Sequence, residues 1–86
     1  MKISVELTLT PLQKEFEPLI IDFIKKLRAS ELTVLENPLS TQIFGEYDVV
    51  MNLLTKEIKN SFELMEAGLL YMKIVKSDRS DYEPNF

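Results

Sequence analysis

The sequence predicts an α+β sandwich, a four-stranded antiparallel sheet carrying two helices on one of its faces. Three observations lead there. Residues 2 to 10 alternate between apolar and polar, two longer stretches repeat apolar residues every three or four positions, and the other apolar runs are short. Period two marks a half-buried strand, and a period near 3.6 marks an amphipathic helix.

The elements follow in order. Ile3, Val5, Leu7 and Leu9 define one face of the first strand, and Lys2, Ser4, Glu6, Thr8 and Thr10 the other. Pro11 is expected to end it. Helix signals begin near Glu15, with Pro18 tolerable only in a first turn. Phe16, Leu19, Ile20, Phe23, Ile24 and Leu27 make a broad apolar stripe, with Asp22, Lys25, Lys26 and Arg28 opposite. Leu32 to Glu36 reads as a second strand, closed by the Asn37-Pro38 turn signal, and Thr41 to Glu46 as a third. Tyr47-Asp48 opens a long helix whose expected buried stripe is Val50, Leu53, Leu54, Ile58, Phe62 and Met65. Asp48 sits where an acid caps a helix or favours its first turn. Gly68 suits the left-handed position past a helix end, and Leu69 to Val75 is the fourth strand. Strand, helix, strand, strand, helix, strand is the order of a split β-α-β repeat, the ferredoxin-like βαββαβ arrangement. The domain is expected over residues 1–76. Residues 77–86 form a polar tail, ordered where it packs on a neighbour, the open face or a groove.

Eighty-six residues make a single small domain that buries only about 60–65% of its unfolded surface, so its stability is marginal. There is no Cys and no His, which removes disulfides and the usual zinc ligands. Association between copies is the remaining route to stability, and a homodimer or homotetramer is expected. Ten basic and fourteen acidic residues give a net charge of −4. The one basic cluster, Lys25-Lys26-Leu27-Arg28, complements a helix C-terminus, so nucleic acid is not an expected partner. No apolar run approaches the ~20 residues that span a bilayer, so no membrane partner is expected. The amino terminus reads as a strand and not as a signal peptide, which points to the cytoplasm.

Two helices cover one sheet face only, and the other must be solvated or covered. On the first strand that open face carries Ser4, Glu6, Thr8 and Thr10. On the third, either Thr41, Ile43 and Gly45 or Gln42, Phe44 and Glu46 face it; alternation alone does not choose. Glu6 has two readings. One is a solvated acid or the partner of Lys73; the other is a carboxylate that meets a cationic ligand on a covered face. Ser40 and Thr41 either stabilise the proline turn or bond the polar edge of a small heterocycle. Gly45 serves backbone geometry or close approach. Phe44, Tyr47 and Tyr71 are core or interface aromatics, or stack on a ligand ring. Catalysis is not expected: the common general base and the best nucleophile are missing, and Glu46 and Asp48 belong to a helix entry. Neither a phosphate-binding glycine loop nor calcium-loop spacing is present, and no cofactor or metal is expected.

The segment Asn37 to Met51 reads Pro-x-Ser-Thr-x-x-x-Gly-Glu-Tyr-Asp-x-Val-Met from Pro38 onward. It resembles the single-domain thiamine-binding proteins, the YkoF-like group, as does the opening Lys2-Ile3-Ser4-Val5-Glu6-Leu7-Thr8-Leu9-Thr10-Pro11-Leu12. The resemblance spans residues 1–76. It implies a ferredoxin-like domain assembling into dimers or dimers of dimers. It also implies a ligand, thiamine or its hydroxymethylpyrimidine part, held without chemistry for vitamin transport or salvage. The ligand-binding residues it implies are Glu6, Ser40, Thr41 and Glu46. The tail Asp78 to Phe86 departs from the family pattern. Two other readings stand beside it: a structural or regulatory oligomerisation module without a ligand, and an enzyme of the dimeric α+β barrel type, which the missing His and Cys disfavour.

Overall fold

A computed structural model describes residues 1–86. Its elements are β1 (Lys2–Pro11), α1 (Glu17–Arg28), β2 (Thr33–Glu36), β3 (Thr41–Glu46), α2 (Tyr47–Leu64) and β4 (Gly68–Val75). The four strands form one sheet in the order β2-β3-β1-β4, antiparallel throughout, which is the ferredoxin-like topology. Both crossover helices lie on one face. Ile3, Val5, Leu7 and Leu9 of β1 point to that face and close the core with Phe23, Leu27, Ile43, Val50 and Leu54. Alternation along β1 therefore sorts core from surface as period two requires.

Pro11 ends β1 as expected, as the strand's last residue, opposite Gly68; three other local expectations change. The pairing with β3 runs only to Leu7, so β1 is an edge at Pro11. The Leu12 N–H bonds Ala67 at 2.8 Å, on the β4 side. The nitrogen of Pro11 thus points to the vacant side, where a missing N–H costs no ladder bond. The first helix begins two residues later than expected, leaving Phe16 at its exposed N-cap and Pro18 in its first turn. Gly68 is not left-handed, since no glycine has positive φ. It opens β4 where a side chain would collide with Met65 and lie 3.2 Å from the Thr10 carbonyl oxygen. Close approach, not φ, requires glycine there. Gly45 fits the close-approach reading, since a Cβ would lie 2.6 Å from Leu32 Cδ2 and 3.3 Å from Val50 Cγ2.

The third change concerns α2. Val50 and Leu54 are buried and Leu53, Ile58 and Met65 pack half-buried against the core as expected, but Phe62 is 44% exposed while Glu57 and Ser61 are buried. Each residue turns the helix by roughly 100°, which swings Phe62 off the line through Val50, Leu54, Glu57 and Ser61. The Glu57 carboxylate accepts a hydrogen bond from Asn60 Nδ2 at 3.2 Å, and no buried side-chain polar atom lacks a partner. Asp48 lies in the first turn without capping it.

Arg28, in the last turn of α1, grips Glu36 of β2 through Nε and through Nη2, the latter at 2.6 Å. This two-point contact holds the Glu36 carboxyl below its ordinary value of about 4.5, against a smaller opposing effect of desolvation. A depressed carboxyl contributes stability above its unfolded pKa and loses it as pH falls through the folded one. NMR titration is expected to place the Glu36 midpoint below 4.5, and Arg28→Gln to return it to the ordinary range. A Glu36 midpoint unmoved by that substitution would show the contact is not maintained in solution.

Candidate functional site

The register settles which residues share the open face. Ser4 lies opposite Phe44 on one side and Val75 on the other; Glu6 lies opposite Gln42 and Lys73. Directly paired residues project to the same face. Gln42, Phe44 and Glu46 therefore accompany Ser4 and Glu6, whereas Thr41, Ile43 and Gly45 turn toward the helices. β4 adds Leu69, Tyr71, Lys73 and Val75.

A cavity of about 250 Å³ opens on this face, lined by Ser4, Val5, Glu6, Gln42, Phe44, Lys73, Val75, Arg79 and Tyr82. Phe44 forms its floor and is only 8% exposed, although no helix covers that side. The cover comes from the chain's own tail. Ser4 Oγ donates to the Ser77 carbonyl oxygen at 2.7 Å and accepts the Arg79 N–H at 2.9 Å. One hydroxyl thus uses both of its capacities to fix two tail residues. A turn from Arg79 to Tyr82, closed by the Tyr82 N–H at 3.2 Å, brings the tyrosine to the cavity wall. Ser77, Arg79 and Tyr82 of the tail thus pack on the chain's own sheet.

Glu6 is the one carboxylate in the cavity. Its Oε2 accepts a hydrogen bond from Ser40 Oγ at 3.0 Å, and its Oε1 lies 3.6 Å from Lys73 Nζ. Ser40 is aimed by the turn before it, where Asn37 Oδ1 accepts the N–H groups of Leu39 at 2.8 Å and Ser40 at 2.9 Å. This is the side-chain turn that Asn before a tight bend favours. The hydroxyl thereby has a role at the carboxylate and not only in the turn.

The other two residues implied by the resemblance lie elsewhere. Thr41 is buried on the helix side of the sheet, where with Ser40 it borders a separate cavity of about 150 Å³ between α1 and the Pro38-Leu39 turn. Glu46 is on the open face but four residues beyond Gln42, about 13 Å along the strand. Its carboxylate meets the terminal amine of Met1 at 3.1 Å and Lys2 Nζ at 4.0 Å. The structure thus joins Glu6 to Ser40 and leaves Thr41 and Glu46 outside the Glu6 cavity. The resemblance did not point to Arg79 or Tyr82; the polar strand position Ser4 is the one sequence feature that anchors them. No group of three or more Asp and Glu side chains is arranged to hold a metal ion. No helix is long and apolar enough to cross a membrane.

No family model matches the chain. No curated protein matches it in sequence. Solved structures do. A protein from Streptococcus pneumoniae is 25% identical and superposes with a TM-score of 0.85, over 91% of this chain and 89% of that one. A candidate thiamine biosynthesis/salvage protein from Thermotoga maritima is 16% identical, with a TM-score of 0.81 over 90% and 85% of the two chains. A domain of unknown function from Bacillus cereus is 14% identical, with a TM-score of 0.76 over 96% and 83%. What the chain shares with these proteins is the whole βαββαβ fold at nearly the same length.

Proposed function

We propose that the protein binds a small cationic heterocycle, thiamine or its hydroxymethylpyrimidine part, without catalysis. The binder works as a homo-oligomer that supports vitamin transport or salvage. The observation that carries this reading is the Glu6 carboxylate, hydrogen-bonded by Ser40 and lining one cavity with Phe44. A carboxylate over an aromatic floor suits a flat ring with a positive charge. Lys73 does not stand in the way. Its contact with Glu6 is 3.6 Å long and both side chains are substantially exposed, and such a pair contributes about 0–1 kcal/mol. A cationic ligand displaces it at little cost. The description of the Thermotoga maritima protein as a candidate in thiamine biosynthesis or salvage supports the same ligand class.

A second reading rests on a different observation. Tyr71 is 73% exposed on the open face, beside Leu69, and β4 is an eight-residue sheet edge. Apolar groups on an open face and an unpaired strand suit an interface between copies. Titration calorimetry separates the two. Thiamine is expected to bind saturably at one site per chain, with Glu6→Gln weakening it about tenfold or more, the worth of a charge-assisted hydrogen bond. No heat and no thermal shift with thiamine, together with altered sedimentation of Glu6→Gln, would replace the binder by the interaction module.

A further inference from the structure

The cavity holds more positive than negative charge, although the chain as a whole is acidic. Lys73 and Arg79 face the single carboxylate of Glu6, within a protein of net charge −4. Arg79 is not neutralised by the chain, since every ion pair involves other residues. Its position is nevertheless fixed. Its N–H is held by Ser4 at 2.9 Å, and its side-chain Nε donates to Ser77 Oγ at 2.8 Å. That second bond orients the guanidinium while leaving Nη1 and Nη2 for another acceptor. A planar pair of N–H donors suits two oxygens of one anionic group.

From these placements we infer that the site takes a zwitterionic ligand, a cationic aromatic ring carrying a phosphate ester on a short tether. The inference rests on the proposed cation-binding role of Glu6 and adds an anionic arm to it. The ring lies over Phe44 with its charge toward Glu6, and the phosphate reaches Arg79, with Lys73 turning from Glu6 to the phosphate. Ser4, which holds the Arg79 backbone, is two residues from Glu6 along β1, about 7 Å, and Glu6 and Arg79 line one cavity. The exchange also resolves the fate of Lys73, which loses its carboxylate partner to the ring and gains the phosphate. Phosphate is favoured over carboxylate because two cations stand ready, and a phosphate monoester carries close to two negative charges at neutral pH.

The test compares thiamine with thiamine monophosphate, by titration calorimetry at two ionic strengths. The phosphate ester is expected to bind about tenfold more tightly, with the advantage shrinking as salt rises. Arg79→Gln is expected to cut the ratio of the two affinities to what Lys73 alone supplies, Arg79→Lys to restore part of it, and Arg79→Gln with Lys73→Gln to bring it close to one. Thermal melts establish that each variant is folded. Thiamine binding with no preference for the ester would overturn the anionic arm and leave the cation-binding reading standing. So would a preference undiminished in Arg79→Gln, because the guanidinium would then have no part in holding the phosphate. Failure of both ligands to bind would overturn the two readings together.

Discussion

Phe23→Ala is expected to lower the unfolding free energy by about 3–5 kcal/mol, a large part of the roughly 5–10 kcal/mol that a domain this size holds. Phe23 is 2% exposed and sits among Leu7, Leu9, Leu27 and Leu54 in one continuous core. Removing its ring deletes apolar contacts and leaves a space that a short helix pinned between β1 and β2 cannot collapse to fill. The paired control is Phe62→Ala. Phe62 was expected in the core by spacing but lies 44% exposed, so its loss should cost less than about 1 kcal/mol. Urea melts at matched m-values measure both. Equal losses at the two positions would mean that α2 is rotated from the placement described.

The contrast between these phenylalanines shows what periodicity delivers. The strands and helices were legible because each carries its own pattern, and β1 most of all, with nine residues of strict alternation. The ferredoxin-like order followed from that sequence of patterns alone. Finer detail failed where two answers fit one pattern. In α2 the apolar residues are broad enough to allow a stripe that runs on through Phe62; Leu53, Ile58 and Met65 do pack on the core, yet Ser61 is buried in place of Phe62. In β3 neighbouring Ile43 and Phe44 are both apolar, so its two faces look alike until Val5 is found opposite Ile43 and Ser4 opposite Phe44. Gly68 was ambiguous for a similar reason: a glycine after a helix serves φ or space, and here it serves space.

The site was half legible. Glu6 is visible in sequence because an acid on an otherwise hydroxyl-bearing strand face has few structural uses. Ser40 is visible through its turn. Thr41 and Glu46 were implied by the resemblance of their segment, but the register puts Thr41 on the opposite face from Gln42, and Glu46 lies four residues further along β3. Arg79 was not legible at all. Its tail has no periodicity, and its place is set by a side-chain bond to Ser4, seventy-five residues away in sequence. Contacts of that separation leave no mark on local pattern.

Truncation after Lys76 is expected to leave the fold standing and to weaken ligand binding about tenfold or more. The two effects part because different forces govern them. Covering Phe44 removes apolar surface from water, while ordering the tail costs backbone entropy, and for stability these two effects oppose each other. None of the nine buried core residues lies beyond Leu54, and the β4 pairing with β1 involves no residue of the tail. Binding has no such offset. Without the tail, Arg79 and Tyr82 leave the cavity wall, Ser4 faces water, and Phe44 changes from the floor of a concave site to part of a flat surface. A flat face excludes less water and encloses less of a ligand than a cavity does. The expected signature is a melting midpoint changed by only a few degrees, new binding of an apolar dye, and loss of thiamine affinity. A truncated chain that melts much lower would make residues 77–86 part of the domain's stability. One that binds as tightly as the full chain would place the ligand away from the tail, and with it the site built around Ser4, Glu6 and Phe44.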